Sequence, residues 1–379
     1  MRAEDGTSMN NNGMVSVIIL NFNGKVWLDE CLRSLRELDF PKDRLEIILG
    51  DNASTDDSVA FVREHYPEVK IIPFDGNYGF CRPNNVCAKA ARGEYLVFLN
   101  NDTFVTRDWL RNLVAAAVPD LQVVACASKI LFPPLGNKVL NAAGGVFLCS
   151  GSGAYDGWMT EDKGQFDVPR DTGFGCAAGV LVRKDFFMET GGFDEYFFYS
   201  SEEMDLGYRA WMRGEKVAYV PSAILYHHMG KTGSRGKGVT PAIEFLISRN
   251  HLYFMLKNFQ WRTLVKGFFL YEARIILKMA YAALYGRFKI ILAILKAQAW
   301  IAKDLPTILK TRQMAQKARV VSDKELEAQG LLLGFWGTIQ RNREILRAMK
   351  TSGGQIFYDE KDRVQIRIGP HGELVFVEG

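Results

Sequence analysis

The stretch Val15-Ser-Val-Ile-Ile-Leu20, closed by Asn21-Phe-Asn-Gly24, decides the fold class. Its short, β-branched apolar run reads as a strand, and the polar, glycine-ended tetrad stops it. Leu45-Glu-Ile-Ile-Leu49 repeats the pattern and stops at Gly50-Asp51-Asn52. Between the two runs Leu28, Cys31, Leu32, Leu35 and Leu38 recur at helical spacing. Strand, helix, strand is the opening of a parallel α/β unit. The rhythm continues with a helix over 58–66 capped by Asp56 or Asp57, a strand over 69–72, a helix over 83–91 and a strand over 94–99 that ends at Asn100-Asn101-Asp102. Three strands therefore end in polar residues, at Asn21, Asp51 and Asn100. In open α/β sheets the ligand crevice lies beyond the carboxyl ends of the strands, so these ends are expected to converge. Each alone is an ordinary polar loop.

Farther along, helices are expected over 107–117, 185–189 and 202–213, and strands over 121–130, 176–183 and 217–220. Residues 144–173, rich in Gly, Asp and aromatics, read as strand and loop beside a cleft. Tyr226-His227-His228 precedes a glycine-rich stretch with Lys231, Arg235 and Lys237, which reads as a mobile loop able to grip phosphates. From Pro241 the character changes to helices. Between Arg249 and Arg319 fourteen Lys or Arg face two acids, a local balance of +12 that leaves the rest of this +4 chain near −8. Charges from Lys266 to Lys289 interrupt every candidate span of twenty apolar residues, which argues against a transmembrane helix. Basic amphipathic helices lying on an anionic membrane surface fit the pattern; the alternative is packing on the α/β domain or in a homodimer interface. The expected division is a loose tail over 1–13, an α/β domain over 14–240, the basic helical region over 241–325, and an extension over 326–379 with a β-hairpin.

Composition narrows the class. With 48% hydrophobic residues, 25 Phe and 14 Tyr, the 379-residue chain can build a sizeable core. The first thirteen residues lack an apolar run and read as a tail rather than a signal peptide. Six cysteines without a close pair suit buried thiols in a reducing compartment. No glycine fingerprint of dinucleotide or P-loop sites follows the first strand, and no HExxH occurs, which sets aside hydride transfer, P-loop hydrolysis and the zinc-protease pattern. The basic segment is amphipathic rather than an aromatic, basic groove, so nucleic acid is not an expected partner.

Three groups carry chemistry. Asp102, two residues beyond Asn100, can hold Mg²⁺ or Mn²⁺, hard ions that bridge a diphosphate, although Asn and Asp are also common turn residues. Glu202, Glu203 and Asp205 crowd one turn of a helix start, where the dipole favours acids and where one carboxylate could act as a general base. His227 and His228 sit where either could complete a metal site.

The ordered blocks Val17-Ile-Ile-Leu-Asn-Phe-Asn-Gly24, Asp51-Asn-Ala-Ser-Thr-Asp-Asp-Ser58, Asn77-Tyr-Gly-Phe80 with Asn84-Asn85, and Gly93-Glu-Tyr-Leu-Val-Phe-Leu-Asn-Asn-Asp-Thr103 resemble the family 2 inverting glycosyltransferases of the GT-A fold. Gly191-Gly-Phe-Asp-Glu-Tyr-Phe-Phe198, Glu202-Glu-Met-Asp-Leu206 and Pro221-Ser-Ala-Ile-Leu-Tyr-His-His228 resemble the branch with bacterial rhamnosyltransferases. The resemblance, over about residues 15–258, implies an α/β nucleotide-sugar-binding fold with a mostly parallel central sheet. It implies that Asp51 bonds the nucleotide base, with Leu20, Phe22 and Asn23 lining that pocket. Asn77, Asn85, Asn100 and Asn101 join the donor site, and Asp102 with His227 holds the metal. It places the base on Glu203, where the family usually has Asp, with Glu202 as rival and Asp205 beside them. Arg82-Pro83 departs from the small residues usual in relatives. The implied reaction moves a sugar, with rhamnose from dTDP-rhamnose as the branch's donor, to a polyprenyl-diphosphate-linked or growing glycan acceptor at the cytoplasmic face of the membrane, the 144–173 region helping to close the acceptor cleft. Alternatives are a hexosyl or N-acetylhexosaminyl transferase using UDP- or GDP-sugars, and a non-catalytic glycan-binding scaffold.

Overall fold

The computed structural model describes residues 13–133, 138–228, 240–351, 364–368 and 374–378. The expected tail, apart from Gly13, and the loop carrying Lys231, Arg235 and Lys237 lie outside the described residues.

The first half alternates as the apolar periods require: β1 (Val15–Asn21), α1 (Lys25–Arg36), β2 (Leu45–Asp51), α2 (Ser58–His65), β3 (Lys70–Pro73), α3 (Cys81–Ala90) and β4 (Tyr95–Asn100). These four strands pair in parallel in the order β4-β1-β2-β3. Val17 and Ile19 pack under Leu28, Leu32 and Leu35 of α1, whereas Ile18 and Ile48 join Leu96 and Phe98 in a core on the other face. The register sets Asn21 beside Asp51 and Leu20 beside Asn100. Three polar strand ends therefore form one row at one edge of the sheet.

Next come β5 (Thr103–Val105), α4 (Trp109–Ala117), β6 (Val123–Phe132), β7 (Val139–Ala143), β8 (Gly145–Leu148), β9 (Gly153–Tyr155), β10 (Arg170–Asp171), β11 (Gly179–Arg183), α5 (Lys184–Glu189), α6 (Glu202–Met212) and β12 (Lys216–His227). Antiparallel β11 joins β4 to β6, and β12 lies parallel to β6, so most strands of the central sheet run one way. The last strand was expected only over 217–220. It instead passes Pro221, which has no N–H to give the ladder, through an irregularity between Val220 and Ile224, and resumes pairing as far as His227. There β5 pairs antiparallel with it, setting His227 opposite Thr103.

The C-terminal part is α7 (Pro241–Asn258), α8 (Trp261–Leu284), α9 (Phe288–Lys303), α10 (Leu305–Lys317), α11 (Asp323–Ala328), β13 (Leu332–Leu333), α12 (Phe335–Thr351) and the antiparallel pair β14 (Val364–Ile368) and β15 (Leu374–Glu378). α7 is a core helix, not a surface one: Tyr253, Phe254 and Met255 pack with Phe147 and Tyr208. β13 pairs in parallel with β8, which ties the chain beyond 326 to the 145–155 hairpin. The basic residues of this half divide in two. Arg249 and Lys257 are buried; Arg274 donates to His251 at 2.8 Å, Lys278 pairs with Glu244, Arg312 caps the carbonyls of Leu256 and Phe259, and Arg319 meets Asp323. All six have partners inside the fold. Among the described residues no helix is long and apolar enough to cross a membrane.

Candidate active site

The row of strand ends is knitted by side-chain amides. Asn21 Nδ2 donates to Asp51 Oδ1 (3.0 Å) and Ser54 Oγ (2.9 Å), while its Oδ1 accepts from Asn101 Nδ2 (2.8 Å). Asp51 also accepts from the Ser54 hydroxyl at 2.6 Å and the Ser54 N–H at 3.0 Å. Asn23, left-handed at φ 49°, accepts from the Thr55 N–H at 2.7 Å. The crowding explains Gly24, where a Cβ would collide with the Asn101 and Asn21 amides. Leu20 and Phe22 are half-buried at the rim. Asn77 accepts from the Gly79 N–H at 3.1 Å and so shapes the turn into α3. Arg82, at the start of that helix, stacks over Tyr78 at 4.2 Å.

Asn85 requires a correction. It was expected in the donor site, but its amide is used by the backbone of Phe193, accepting at 2.9 Å and donating at 2.8 Å, with Glu195 as a further acceptor. It braces the 191–198 turn.

One step beyond the row lie Asp102 and His227, both buried, with His227 Nε2 3.3 Å from Asp102 Oδ1. The histidine's other nitrogen, Nδ1, is 3.3 Å from Asn141 Oδ1, an atom that only accepts, so Nδ1 carries the hydrogen. Nε2 is then the lone-pair nitrogen, 3.3 Å from both Asn100 Nδ2 and Asp102 Oδ1. Two acceptors facing each other at that distance suit a cation that both bind. The structure also separates the two histidines. His228 is held by Glu30 (2.8 Å), stacks on Trp27 (4.6 Å), and gives its N–H to the Asp102 carbonyl (3.0 Å). Among the described residues no set of three or more His, Cys, Asp or Glu side chains comes together as a metal cage. A carboxylate and an imidazole, with donor phosphates and water supplying the rest, is a usual way to bind Mg²⁺ or Mn²⁺.

The acids stand at the start of α6, after a loop in which Phe198 (φ 63°), Ser200 (φ 72°) and Ser201 (φ 79°) are left-handed without being glycine. Each such residue costs on the order of 1–3 kcal/mol and persists only when its surroundings impose it. Here α7 imposes it. Asn250 Nδ2 donates to the carbonyls of Phe197 (3.0 Å), Tyr199 (2.9 Å) and Ser200 (2.7 Å), and Arg249 to those of Tyr196 (2.6 Å) and Phe197 (2.9 Å). From the other side Gly79 leaves room for the Phe198 carbonyl, which a Cβ would approach to 2.6 Å.

Glu202 is buried, and its Oε2 has no hydrogen-bond partner among the described residues. Burial first, and the charge of Glu203 second, push its carboxyl well above the ordinary value. Glu203 is half-buried and accepts from the Tyr155 hydroxyl at 2.7 Å through Oε1, and its Oε2 has no hydrogen-bond partner among the described residues. Burial raises it too, and Tyr155 pulls it back. Both carboxyls are therefore raised, Glu202 further than Glu203, which alone of the two accepts from a side-chain hydroxyl. Desolvation and then the charges of Glu202, Glu203 and Asp102 all raise the Tyr199 hydroxyl.

Asp205 is the second correction. It was grouped with the catalytic acids, yet it is 0% exposed and bound to Arg209 (2.8 Å), Lys257 (2.8 Å) and Asn258 (2.8 Å). A carboxylate so enclosed does not reach a substrate. Tyr155, Tyr199 and Asn141 escaped the sequence reading because only the fold brings them to the acids and to His227.

Residues 16–191 match the family model described as glycosyl transferase family 2. They belong to that family. The match takes in Asp51 and Asp102 and stops before Glu203 and His227. The O-antigen biosynthesis protein RfbC of Myxococcus xanthus is 30% identical over 218 residues, 54% of this chain and 16% of its own length. The N-acetylglucosaminyl-diphospho-decaprenol L-rhamnosyltransferase of Mycobacterium tuberculosis is 28% identical over 256 residues, 60% of this chain and 79% of its own. Against the Staphylococcus aureus poly(ribitol-phosphate) β-N-acetylglucosaminyltransferase TarS, as against RfbC, the chain spans under a fifth of the relative's length, 18% there. Among solved structures, GalNAc-T7 with UDP, GalNAc and Mn²⁺ aligns with a TM-score of 0.55 at 18% identity, covering 68% of this chain and 50% of that one. TarS 1–349 with UDP-GlcNAc aligns at 0.52 and 17%, covering 96% and 97%. These likenesses show the GT-A fold.

Proposed function

We propose that this family 2 chain is an inverting glycosyltransferase that moves a sugar from a nucleoside diphosphate to a hydroxyl of a glycan or lipid-linked acceptor. The observation that carries it is the buried Asp102–His227 pair, a carboxylate and an imidazole 3.3 Å apart beyond the row of strand ends. Asp51 bonds the donor's base while the Leu20 to Asn23 backbone flanks it. Asp102 and His227 would hold Mg²⁺ or Mn²⁺, which when bound offsets the charge growing on the diphosphate leaving group. Glu203 Oε2 takes the acceptor proton as the acceptor oxygen bonds to the anomeric carbon and the bond to the diphosphate breaks. Tyr155 orients that carboxylate, and Glu202 remains protonated behind it. A Glu in place of the usual Asp sets the base one methylene farther along its side chain. The donor is rhamnose from dTDP-rhamnose, a reading supported by the mycobacterial relative, whose length the chain largely spans. A hexosyl or N-acetylhexosaminyl donor is the second reading, favoured by the likeness to TarS.

The test is a panel of dTDP-, UDP- and GDP-sugars with Mn²⁺ or Mg²⁺ and a short polyprenyl-diphosphate-sugar acceptor, followed by linkage analysis. The expected result is one donor consumed, a product of inverted configuration, and loss of turnover in Asp102→Ala. Donor or glycan binding by calorimetry with no turnover anywhere in the panel would make the chain a glycan-binding scaffold instead.

A further inference from the structure

α8 is built inside out. Arg274 and Lys278 point toward α7, where they meet His251 and Glu244. Its outer face carries Trp261 (71% exposed), Phe269 (67%), Ile276 (59%), Leu277 (72%) and Leu284 (84%). On a helix these positions fall within about half a turn of one another, so they form one apolar band, whose first turns also carry the exposed Arg262 and Lys266. α9 continues it with Phe288 (67%), Leu292 (52%) and Leu295 (48%). Beside that stripe stand Lys289, Lys296 and Lys303, all exposed and spaced seven apart along one flank. Among the described residues, fifteen of the 26 exposed large hydrophobic side chains lie between Trp261 and Met314. A monomer in water rarely leaves a patch of that size uncovered.

We infer that the joined outer faces of α8 and α9 lie in the surface of an anionic phospholipid bilayer. The apolar side chains enter the headgroup and acyl boundary, and the lysines extend sideways to lipid phosphates. Charge selects this occupant over a second copy. A two-fold contact through this face would set the lysine stripe and Arg262, Lys266 and Arg287 of one copy against the same groups of the other, whereas anionic headgroups neutralise them. The helices lie in the surface and do not span it, since none is long and apolar enough to cross.

Flotation of the full chain with vesicles of phosphatidylglycerol and phosphatidylcholine, without donor or metal, tests this and stands apart from the transferase reading. Binding is expected to anionic vesicles and not to phosphatidylcholine alone, and to weaken as salt is raised. The Leu277→Glu/Phe288→Glu variant is expected to lose at least about tenfold in partition, because charges must then enter the apolar boundary. Lys289, Lys296 and Lys303 changed together to Gln are expected to cost about fivefold per lysine. Leu121→Glu, at a 78% exposed site outside the helical region, is the control and should bind as the parent does. Undiminished binding in both variants overturns the inference. So does a stable dimer in sedimentation, dispersed by Leu277→Glu/Phe288→Glu, in a chain that binds no vesicles: a second copy would then be the occupant.

Discussion

Two acid sites share the first turn of α6 and have opposite physics. Asp205 faces the core and is surrounded by Arg209, Lys257 and Asn258, with Asp194 taking a further bond from Lys257 at 2.6 Å. Lys257 holds the Asp194 carboxyl down to about 2, partly against its burial. The like charge of Glu203 adds to the burial cost of Glu202, and among the described residues the Tyr155 hydroxyl is their one side-chain hydrogen-bond donor. Burial is common to both sites; compensation is not. A buried charge with partners fixes structure, and a buried acid without them is a group whose proton can move.

That contrast is open to attack by substitution. Glu203→Gln should reduce turnover by about 10²–10⁴-fold, the usual worth of a general base, with donor affinity in calorimetry unchanged. If Glu202→Gln alone shows that loss, the base moves one residue along the helix. Asp205→Ala strands Lys257 and Arg209 in the core and should lower unfolding free energy by about 3–5 kcal/mol in urea titrations. Loss of turnover there with stability intact would erase the distinction between the two sites. Tyr155→Phe removes the bond that pulls the Glu203 carboxyl down, so the acid limb of kcat/KM should move to higher pH while the plateau holds. The smallest effect is expected in the stability of Glu202→Gln. The Glu202 carboxyl titrates higher in the folded chain than its ordinary 4.5, so the folded state binds more protons and stability falls as pH rises past that value. Its replacement should therefore raise Tm at pH 8 and leave it nearly unchanged at pH 4.

Much of the molecule was legible in order along the chain. The strands and helices up to β4 follow from apolar periods, and their parallel pairing makes Asn21, Asp51 and Asn100 neighbours. The sequence shows three acids at Glu202, Glu203 and Asp205 but not which way they face. That is decided by Lys257 and Asn258, more than fifty positions away, and by Tyr155 on a hairpin. Asn85 failed for the same reason, because its partner is the backbone of Phe193. The +12 count was correct as arithmetic, but charge summed along a helix does not say which side carries it. Six of those cations have partners inside the fold, and the outward arc of α8 carries more apolar side chains than cations.

Arg249 and Asn250 grip the 196–200 loop through its carbonyls. A grip on main-chain oxygens is indifferent to the side chains it passes. Tyr199 therefore stands on a mount that any other residue able to adopt the same backbone could use. On the proposed reading, the residue at position 199 can change while Glu203, four positions on, keeps its place.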